Sequence, residues 1–256
     1  MSLMNVDDLI EIVEGKRPMV EAHNHPLLPQ HTPHQPFRWL LSGLSGCGKT
    51  NCVVCPILQG NIKFDKLYLC TKSPDQDKYR FLIKWCNTIK EKVKETHGSD
   101  VDVIEICEDV SQIPHVQELD PTIVNLMIFD DLLLEADPEN KIESYFIRGR
   151  HTNANCIYMS QSYYKTPKKI RENCTYFSIF ATSSRKEIIQ LASEHALHFP
   201  YEKFKEIFVK ATAPTSEMSH PFIFLDRVTS IPQMRIRKCF DHFYNEKTDR
   251  FEFIDI

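Results

Sequence analysis

Eight consecutive residues, Gly43-Leu44-Ser45-Gly46-Cys47-Gly48-Lys49-Thr50, carry the G-x-x-x-x-G-K-[S/T] spacing of a phosphate-binding loop. Three of the chain's seven glycines fall in this stretch. Glycine lets backbone amides turn toward an anion and lets the anion approach closely. The lysine adds a point charge and the Thr50 hydroxyl a metal ligand, which suits a nucleoside triphosphate with Mg²⁺. The flanks agree with that chemistry. Phe37-Arg38-Trp39-Leu40-Leu41 reads as a buried strand, and Lys49 to Gln59 reads as a helix whose N-terminus brings partial positive charge to the same place.

A phosphate loop also needs a metal holder and a group that activates water. Asn125-Leu126-Met127-Ile128-Phe129-Asp130-Asp131 is an apolar strand ending in two acids, which delivers carboxylates to the carboxyl edge of a parallel sheet. Asp130 is expected in the Mg²⁺ shell beside Thr50. Asp131 is expected to orient or deprotonate the attacking water, with Glu135 as the nearest replacement. The next strand, Cys156-Ile157-Tyr158-Met159-Ser160, runs into Gln161, an amide placed to report on a γ-phosphate. Between these strands lies Phe146-Ile147-Arg148-Gly149-Arg150-His151. It fits a solvated helix end broken by Gly149, or an arginine finger (Arg148 or Arg150) acting on a neighbouring subunit's nucleotide. Past Gln161, the run Tyr163-Tyr164-Lys165-Thr166-Pro167-Lys168-Lys169-Ile170-Arg171 holds four basic residues and two tyrosines. It is a candidate loop contacting a nucleic-acid backbone, with Lys165, Lys168, Lys169 and Arg171 as the contacts, or else a solvated basic loop.

The elements that must position these groups alternate. Strands are expected at Arg38–Ser42, Lys66–Cys70, Val101–Ile106, Ile123–Phe129, Cys156–Ser160, Tyr176–Ala181 and Phe222–Leu225. Helices are expected at Asp77–Glu95, with Phe81, Leu82, Trp85, Ile89 and Val93 on its apolar face, from Glu139 to about Gly149, and from Ser184 to about His195. This pattern indicates an α/β fold, a mostly parallel sheet covered by helices on both faces, of the P-loop NTPase kind. Pro56 conflicts locally with the helix behind the phosphate loop, so that helix must kink or end early.

Residues 1–35 are expected to form an appendage and 36–256 the ATPase domain. The appendage would hold a short amphipathic helix at Asn5 to Glu14, then an extended strap set by Pro26, Pro29, Pro33 and Pro36. His23, His25, His31 and His34 in the strap lack acidic or cysteine partners and are expected to face solvent. Met1 to Gly15 has no basic region before an apolar one, as a signal peptide would. Nine cysteines, an odd number, are expected as reduced thiols, with Cys52 and Cys55 buried in the first helix. No apolar run reaches a membrane span of roughly 18 residues. The net charge of −4 argues against a protein coated by nucleic acid, though not against a local basic patch.

The order of these motifs resembles the FtsK–HerA superfamily of DNA-translocating ATPases. More closely, it is similar to the genome-packaging ATPases of poxvirus-like large DNA viruses, virophages and Polinton/Maverick elements. Leu67-Tyr68-Leu69-Cys70-Thr71-Lys72-Ser73-Pro74-Asp75-Gln76-Asp77-Lys78-Tyr79 resembles that family's segment after the second strand. Arg148-Gly149-Arg150-His151 through Tyr158-Met159-Ser160-Gln161-Ser162 resembles the stretch leading to its sensor glutamine. The resemblance spans about Phe37 to His195. It implies a RecA/ASCE-like fold and a homo-oligomeric ring, hexamer or pentamer, that hydrolyses ATP with Mg²⁺ to move double-stranded DNA into a capsid. It thereby implies a capsid or portal-like partner and residence in the virion or at the viral assembly site. It also implies Lys49 and Thr50 on phosphate and metal, Asp130 and Asp131 as the acidic pair, and Gln161 as the sensor. The competing expectations are a P-loop kinase, another DNA-dependent NTPase or helicase, and a scaffold that binds ATP without turnover. A kinase would carry an arginine-bearing lid after its acceptor site, whereas the basic run here follows the sensor strand.

Overall fold

The computed structural model describes residues 31–132 and 140–253. The expected helix at Asn5 to Glu14, His23, His25, Pro26, Pro29, Glu135 and the helix start at Glu139 lie outside the described residues. One sheet of ten strands runs through the molecule in the order β10-β9-β8-β7-β6-β1-β5-β4-β2-β3. Its parallel block comprises β1 (Arg38–Ser42), β2 (Lys66–Thr71), β3 (Ile104–Cys107), β4 (Asn125–Asp130), β5 (Ala154–Ser160) and β6 (Tyr176–Phe180). β7 (Phe222–Asp226), β8 (Ile236–Lys238), β9 (His242–Asn245) and β10 (Arg250–Phe253) continue it as an antiparallel meander. The strand expected at Phe222–Leu225 therefore pairs antiparallel to β6, and β8 to β10 are additions to the expected set. Val103 already bonds Leu67 through its carbonyl, but regular pairing of the third strand begins only at Ile104.

Alternation along the strands builds two cores. Trp39, Leu41, Leu126, Ile128, Ile157 and Met159 face one side; Leu40, Met127, Phe129, Cys156 and Tyr158 face the other. The first side is covered by α1 (Lys49–Leu58) and α2 (Asp77–His97). The second is covered by α3 (Lys141–Arg148), α4 (Lys168–Asn173), α5 (Arg185–His195) and α6 (Tyr201–Thr212). Both faces of the central strands are thus covered, which explains why they are nearly all apolar, whereas the edge strand β3 leaves Ile106 exposed. Trp39, fully buried, satisfies its indole N–H by donating to Ser178 Oγ at 3.0 Å.

Several local expectations change. Pro56 sits inside α1, which runs on to Leu58; the chain turns away at Gly60, φ 74°, where the Pro56 carbonyl accepts from Asn61 N at 2.9 Å. The buried stripe of α2 is Tyr79, Leu82 and Cys86, while Phe81, Trp85 and Ile89 flank it half-buried. α3 does stop at Gly149, which caps it without the left-handed conformation usual for a terminal glycine. Gly149 keeps right-handed helical geometry into a tight 3-10 turn, Gly149–Thr152, and the left-handed residue is Asn153 at φ 49°. An added Cβ at Gly149 would stand 3.4 Å from Ala154 Cβ and from Cys156 Sγ, close to ordinary contact, so packing alone does not demand glycine there. His31 does not face solvent either. It is buried edge-on to Phe243, and its carbonyl accepts from Arg237, which ties the strap to the meander. All nine cysteines are free thiols, with Cys52 and Cys55 buried in α1. No helix among the described residues is long and apolar enough to cross a membrane.

Candidate active site

A cleft of about 1000 Å³ lies along the carboxyl edge of the parallel block. The phosphate loop, Gly43 to Gly48, links β1 to α1 and forms its floor. Gly48 precedes α1 at φ 98°, a conformation that disfavours any side chain, and it passes its carbonyl to Cys52 N at 3.0 Å. Gly43 is required for a different reason: a Cβ there would meet Phe180 Cβ at 2.7 Å and Cys47 Sγ at 2.6 Å. Its N–H donates to Ser160 O at 3.1 Å, which anchors the loop to the tip of β5. Ser45, Gly46, Gly48, Lys49 and Thr50 line the cleft, whereas Leu44 is exposed and Cys47 half-buried. Burial pushes the Cys47 thiol above its ordinary range, against the opposing pull of Lys49. The Lys49 ammonium donates to Gly43 O at 2.6 Å and Leu44 O at 3.0 Å, spanning the loop it would serve.

Register carries the acids to the same edge. Asp130 ends β4 opposite Thr71 of β2 and Met159 of β5. It is 8 % exposed, and its Oδ2 accepts from the Tyr79 hydroxyl at 2.6 Å. Burial raises the Asp130 carboxyl above its usual range; the Tyr79 bond and Lys49 lower it, and Asp131 raises it. The Tyr79 phenol is pushed up in turn, by burial first and then by the Asp130 charge. Asp131 takes a left-handed turn, φ 53°, which swings its side chain out of the strand pattern. There it accepts from Gln161 Nε2 at 3.2 and 3.1 Å on its two oxygens. Four expected groups, Lys49, Asp130, Asp131 and Gln161, therefore line one cleft together with Thr50.

Among the described residues no group of three or more His, Cys, Asp or Glu is arranged to hold a metal. Mg²⁺ is usually held by one or two carboxylates together with substrate phosphates and retained waters rather than by such a cluster. The oxygen donors present, the Thr50 hydroxyl and the Asp130 carboxylate, are of the type it prefers.

Other expected residues lie elsewhere. Arg148 and Arg150 are exposed at the end of α3, before β5 begins, and neither lines the cleft. β5 then runs seven residues to the cleft edge, about 20 Å at the usual strand rise. Arg171 is not a surface contact. It is 7 % exposed, pairs with Glu194 at 3.1 Å, donates to Thr166 O and stacks over Tyr163. Its helical position in α4 turns it inward, so it leaves the candidate nucleic-acid set. Lys169 pairs with Glu143 at 2.8 Å, Lys168 with Glu172 at 3.4 Å, and Lys165 is exposed.

Two groups beyond the expected site residues bear on the cleft. Tyr79, fully buried behind the cleft rather than lining it, is one; its signal was only its place near the start of a helix that follows a cleft strand. The other is the wall Met218, Ser219 and His220, joined by Cys239, contributed from the meander side. His220 Cβ lies 3.5 Å from where a Gly48 Cβ would stand. Nothing in the type or spacing of those residues marks them, because only the antiparallel extension of the sheet brings them to the loop.

Comparison with known proteins agrees with this architecture. The DNA packaging protein OPG160 of Vaccinia virus (strain Copenhagen) is 29% identical over 151 residues, covering 58% of this chain and 54% of the relative. Its Monkeypox virus counterpart is also 29% identical over 151 residues, covering 58% of this chain and 49% of the relative. The chain thus spans about half the length of the curated relatives it matches. The genome packaging NTPase B204 of Sulfolobus turreted icosahedral virus 2, solved with sulfate, superposes with a TM-score of 0.50 at 12% identity, over 80% of this chain and 96% of B204. That likeness shows a shared fold. The model of the family described as "Poxvirus A32 protein" matches residues 30–246, and the chain belongs to that family.

Proposed function

We propose that this chain is an ATP-hydrolysing motor that moves double-stranded DNA into a viral capsid. The observation that carries the reading is the convergence of Lys49, Thr50, Asp130, Asp131 and Gln161 on one cleft at the carboxyl edge of a parallel sheet. The description of its relatives as DNA packaging proteins supports the choice of DNA as cargo.

In this reading the loop amides and the α1 N-terminus bind the triphosphate, and Lys49 exchanges its bonds to Gly43 O and Leu44 O for phosphate oxygens. Thr50 and Asp130 hold Mg²⁺, which when bound neutralises charge developing on the phosphate oxygens. Asp131 orients and takes a proton from the attacking water. Gln161 trades its hold on Asp131 for the γ-phosphate oxygens, so occupancy of the site frees the acid. The phosphate end is set by Asp130 and Gln161, which leaves the Met218–His220 side of Gly48 for the nucleoside. Arg148 or Arg150, too far from this chain's own cleft, would act on a neighbour's nucleotide in a homo-oligomeric ring of five or six subunits. Lys165, Lys168 and Lys169, all exposed, are the remaining candidates for contact with the DNA backbone. The ring would work against a capsid or portal-like protein, in the virion or at the site of viral assembly.

Displacement of a third strand from duplex DNA tests the motor directly. ATP-dependent displacement by the wild-type chain, absent with Lys49→Ala, is expected; no displacement by the assembled wild type would overturn the motor reading.

A further inference from the structure

Tyr79 stands behind Asp130 in a way that neither packing nor chance position in a helix requires. α2 begins after β2, so its first turn lies over the carboxyl ends of β2 and β4, which are neighbours through Thr71 and Asp130. Tyr79 belongs to the buried stripe with Leu82 and Cys86 and has no exposed surface. Its ring is therefore held by the core while its hydroxyl reaches Asp130 Oδ2 at 2.6 Å. A bond of that length to a buried carboxylate is of the strong, charge-assisted kind. It uses one of the two carboxylate oxygens and fixes the rotation of the group.

We infer that Tyr79 is a positioning residue for Asp130, holding the carboxylate so that only one oxygen is offered to the cation of a Mg²⁺–nucleotide. The inference rests on the nucleotide-site reading above. A carboxylate at a strand tip with both oxygens available could chelate a cation through both, as Ca²⁺ accepts readily. With Oδ2 bound to the phenol, the group can offer one oxygen, directly or through water. That matches the near-octahedral, water-retaining shell of Mg²⁺ and disfavours the larger ion. Partners of this sort behind metal-binding side chains commonly contribute 10- to 100-fold to metal affinity. Tyr79 would then tune both how tightly Asp130 binds Mg²⁺ and how well the site rejects Ca²⁺.

The test is equilibrium binding of a fluorescent, non-hydrolysable ATP analogue by the full chain, titrated with Mg²⁺, with Ca²⁺, and in EDTA. Tyr79→Phe removes only the hydroxyl; Tyr79→Leu is measured in parallel as a second shape lacking it, with thermal unfolding recorded for both. The expected result is an increase of about tenfold in the Mg²⁺ concentration at half-maximal binding, with a smaller change for Ca²⁺. Metal-free affinity should stay within twofold, and in an Asp130→Asn background Tyr79→Phe should add no more than twofold. A Mg²⁺ shift below twofold, an equal loss in EDTA, or the same shift in the Asp130→Asn background would overturn the inference. A wild-type chain that fails to bind the analogue would overturn the nucleotide-site reading and this inference with it, and one whose affinity ignores Mg²⁺ would overturn the metal role of Asp130 and this inference. A wild-type response that Tyr79→Phe preserves would overturn this inference alone.

Discussion

The side-chain amide of Gln161 donates to both carboxylate oxygens of Asp131, at 3.2 and 3.1 Å, across thirty residues of sequence. The two sit at the ends of adjacent strands, β5 and β4, so the contact bridges the tips of the sheet beside the phosphate loop. An acid held this way is oriented but engaged, and releasing it requires the amide to find another partner.

Asp131→Asn should therefore retain nucleotide affinity within about threefold while lowering turnover by roughly 10²-fold or more, the usual contribution of a positioned base. Gln161→Ala should also lower turnover with binding retained. Single-turnover hydrolysis together with analogue binding separates the two effects. Turnover near wild type in Asp131→Asn would shift the role of base to another acid, Glu135 being the next along the chain.

Much of this site could be read in the chain before any fold was known. The loop motif carries its own mechanism, and an apolar strand ending in Asp130-Asp131 can deliver its acids only to the carboxyl edge of a parallel sheet. The meander could not be read in the same way. β8 is three residues, Ile236–Lys238, and two of them are basic side chains that are nonetheless buried. Arg237 is held by Asp226 at 2.6 Å between the rings of Phe224 and Phe243, and Lys238 donates to the carbonyl of Ala213. Such burial depends on partners distant in sequence, which periodicity does not report. The helix α6 is a different case. Phe204, Ile207, Phe208 and Ala211 are all buried at helical spacing, so the sequence does carry its signal. The basic run failed by geometry: a six-residue helix turns Arg171 inward while Lys168 stays exposed.

Arg171→Ala should act on stability. Removing it leaves the Glu194 carboxylate, 30 % exposed, with its Tyr163 and Gln190 bonds but no cation. A loss of about 2 kcal/mol is expected, below the figure for fully buried pairs because solvent still reaches Glu194. Urea unfolding measures it. Duplex affinity in Arg171→Ala should match wild type at temperatures where both are folded, whereas Lys165→Ala and Lys168→Ala should each weaken binding and reduce its salt slope by about one. A DNA defect in folded Arg171→Ala would contradict the assignment.

Acid sensitivity follows from His195. Burial pushes its imidazole down to about 4 from an ordinary 6.5; Glu194 opposes this, and Arg227 and Arg171 reinforce it. Its Nε2 lies 2.7 Å from the Tyr163 hydroxyl, which itself donates to Glu194. The unfolded chain protonates this histidine first as pH falls, so stability is full above about 6.5 and declines toward 4. The decline attributable to one such group is at most about 1.4 kcal/mol per pH unit. Glu194, whose carboxyl is raised by burial but held low overall by Tyr163 and Arg171, adds a loss of the same sign below the ordinary carboxyl range. Unfolding free energies from pH 4.5 to 7.5 should show His195→Gln flattening the slope. An unchanged slope would mean that His195 titrates in the folded protein as it does in the unfolded chain.

The exposed arginines can be tested without knowing the ring size. Mixing Arg148→Ala or Arg150→Ala chains with Lys49→Ala chains should restore part of the ATP turnover that each lacks alone, because a mixed interface can join an intact cleft to an intact arginine. Absence of rescue with both arginine variants would contradict a shared site.

The central claim is that this cleft hydrolyses ATP for work on duplex DNA. Steady-state phosphate release by the purified chain, with and without duplex DNA, tests it most directly. Turnover should rise several-fold with duplex and disappear with Lys49→Ala. Turnover indifferent to duplex, accompanied by phosphorylation of a nucleoside monophosphate, would contradict it.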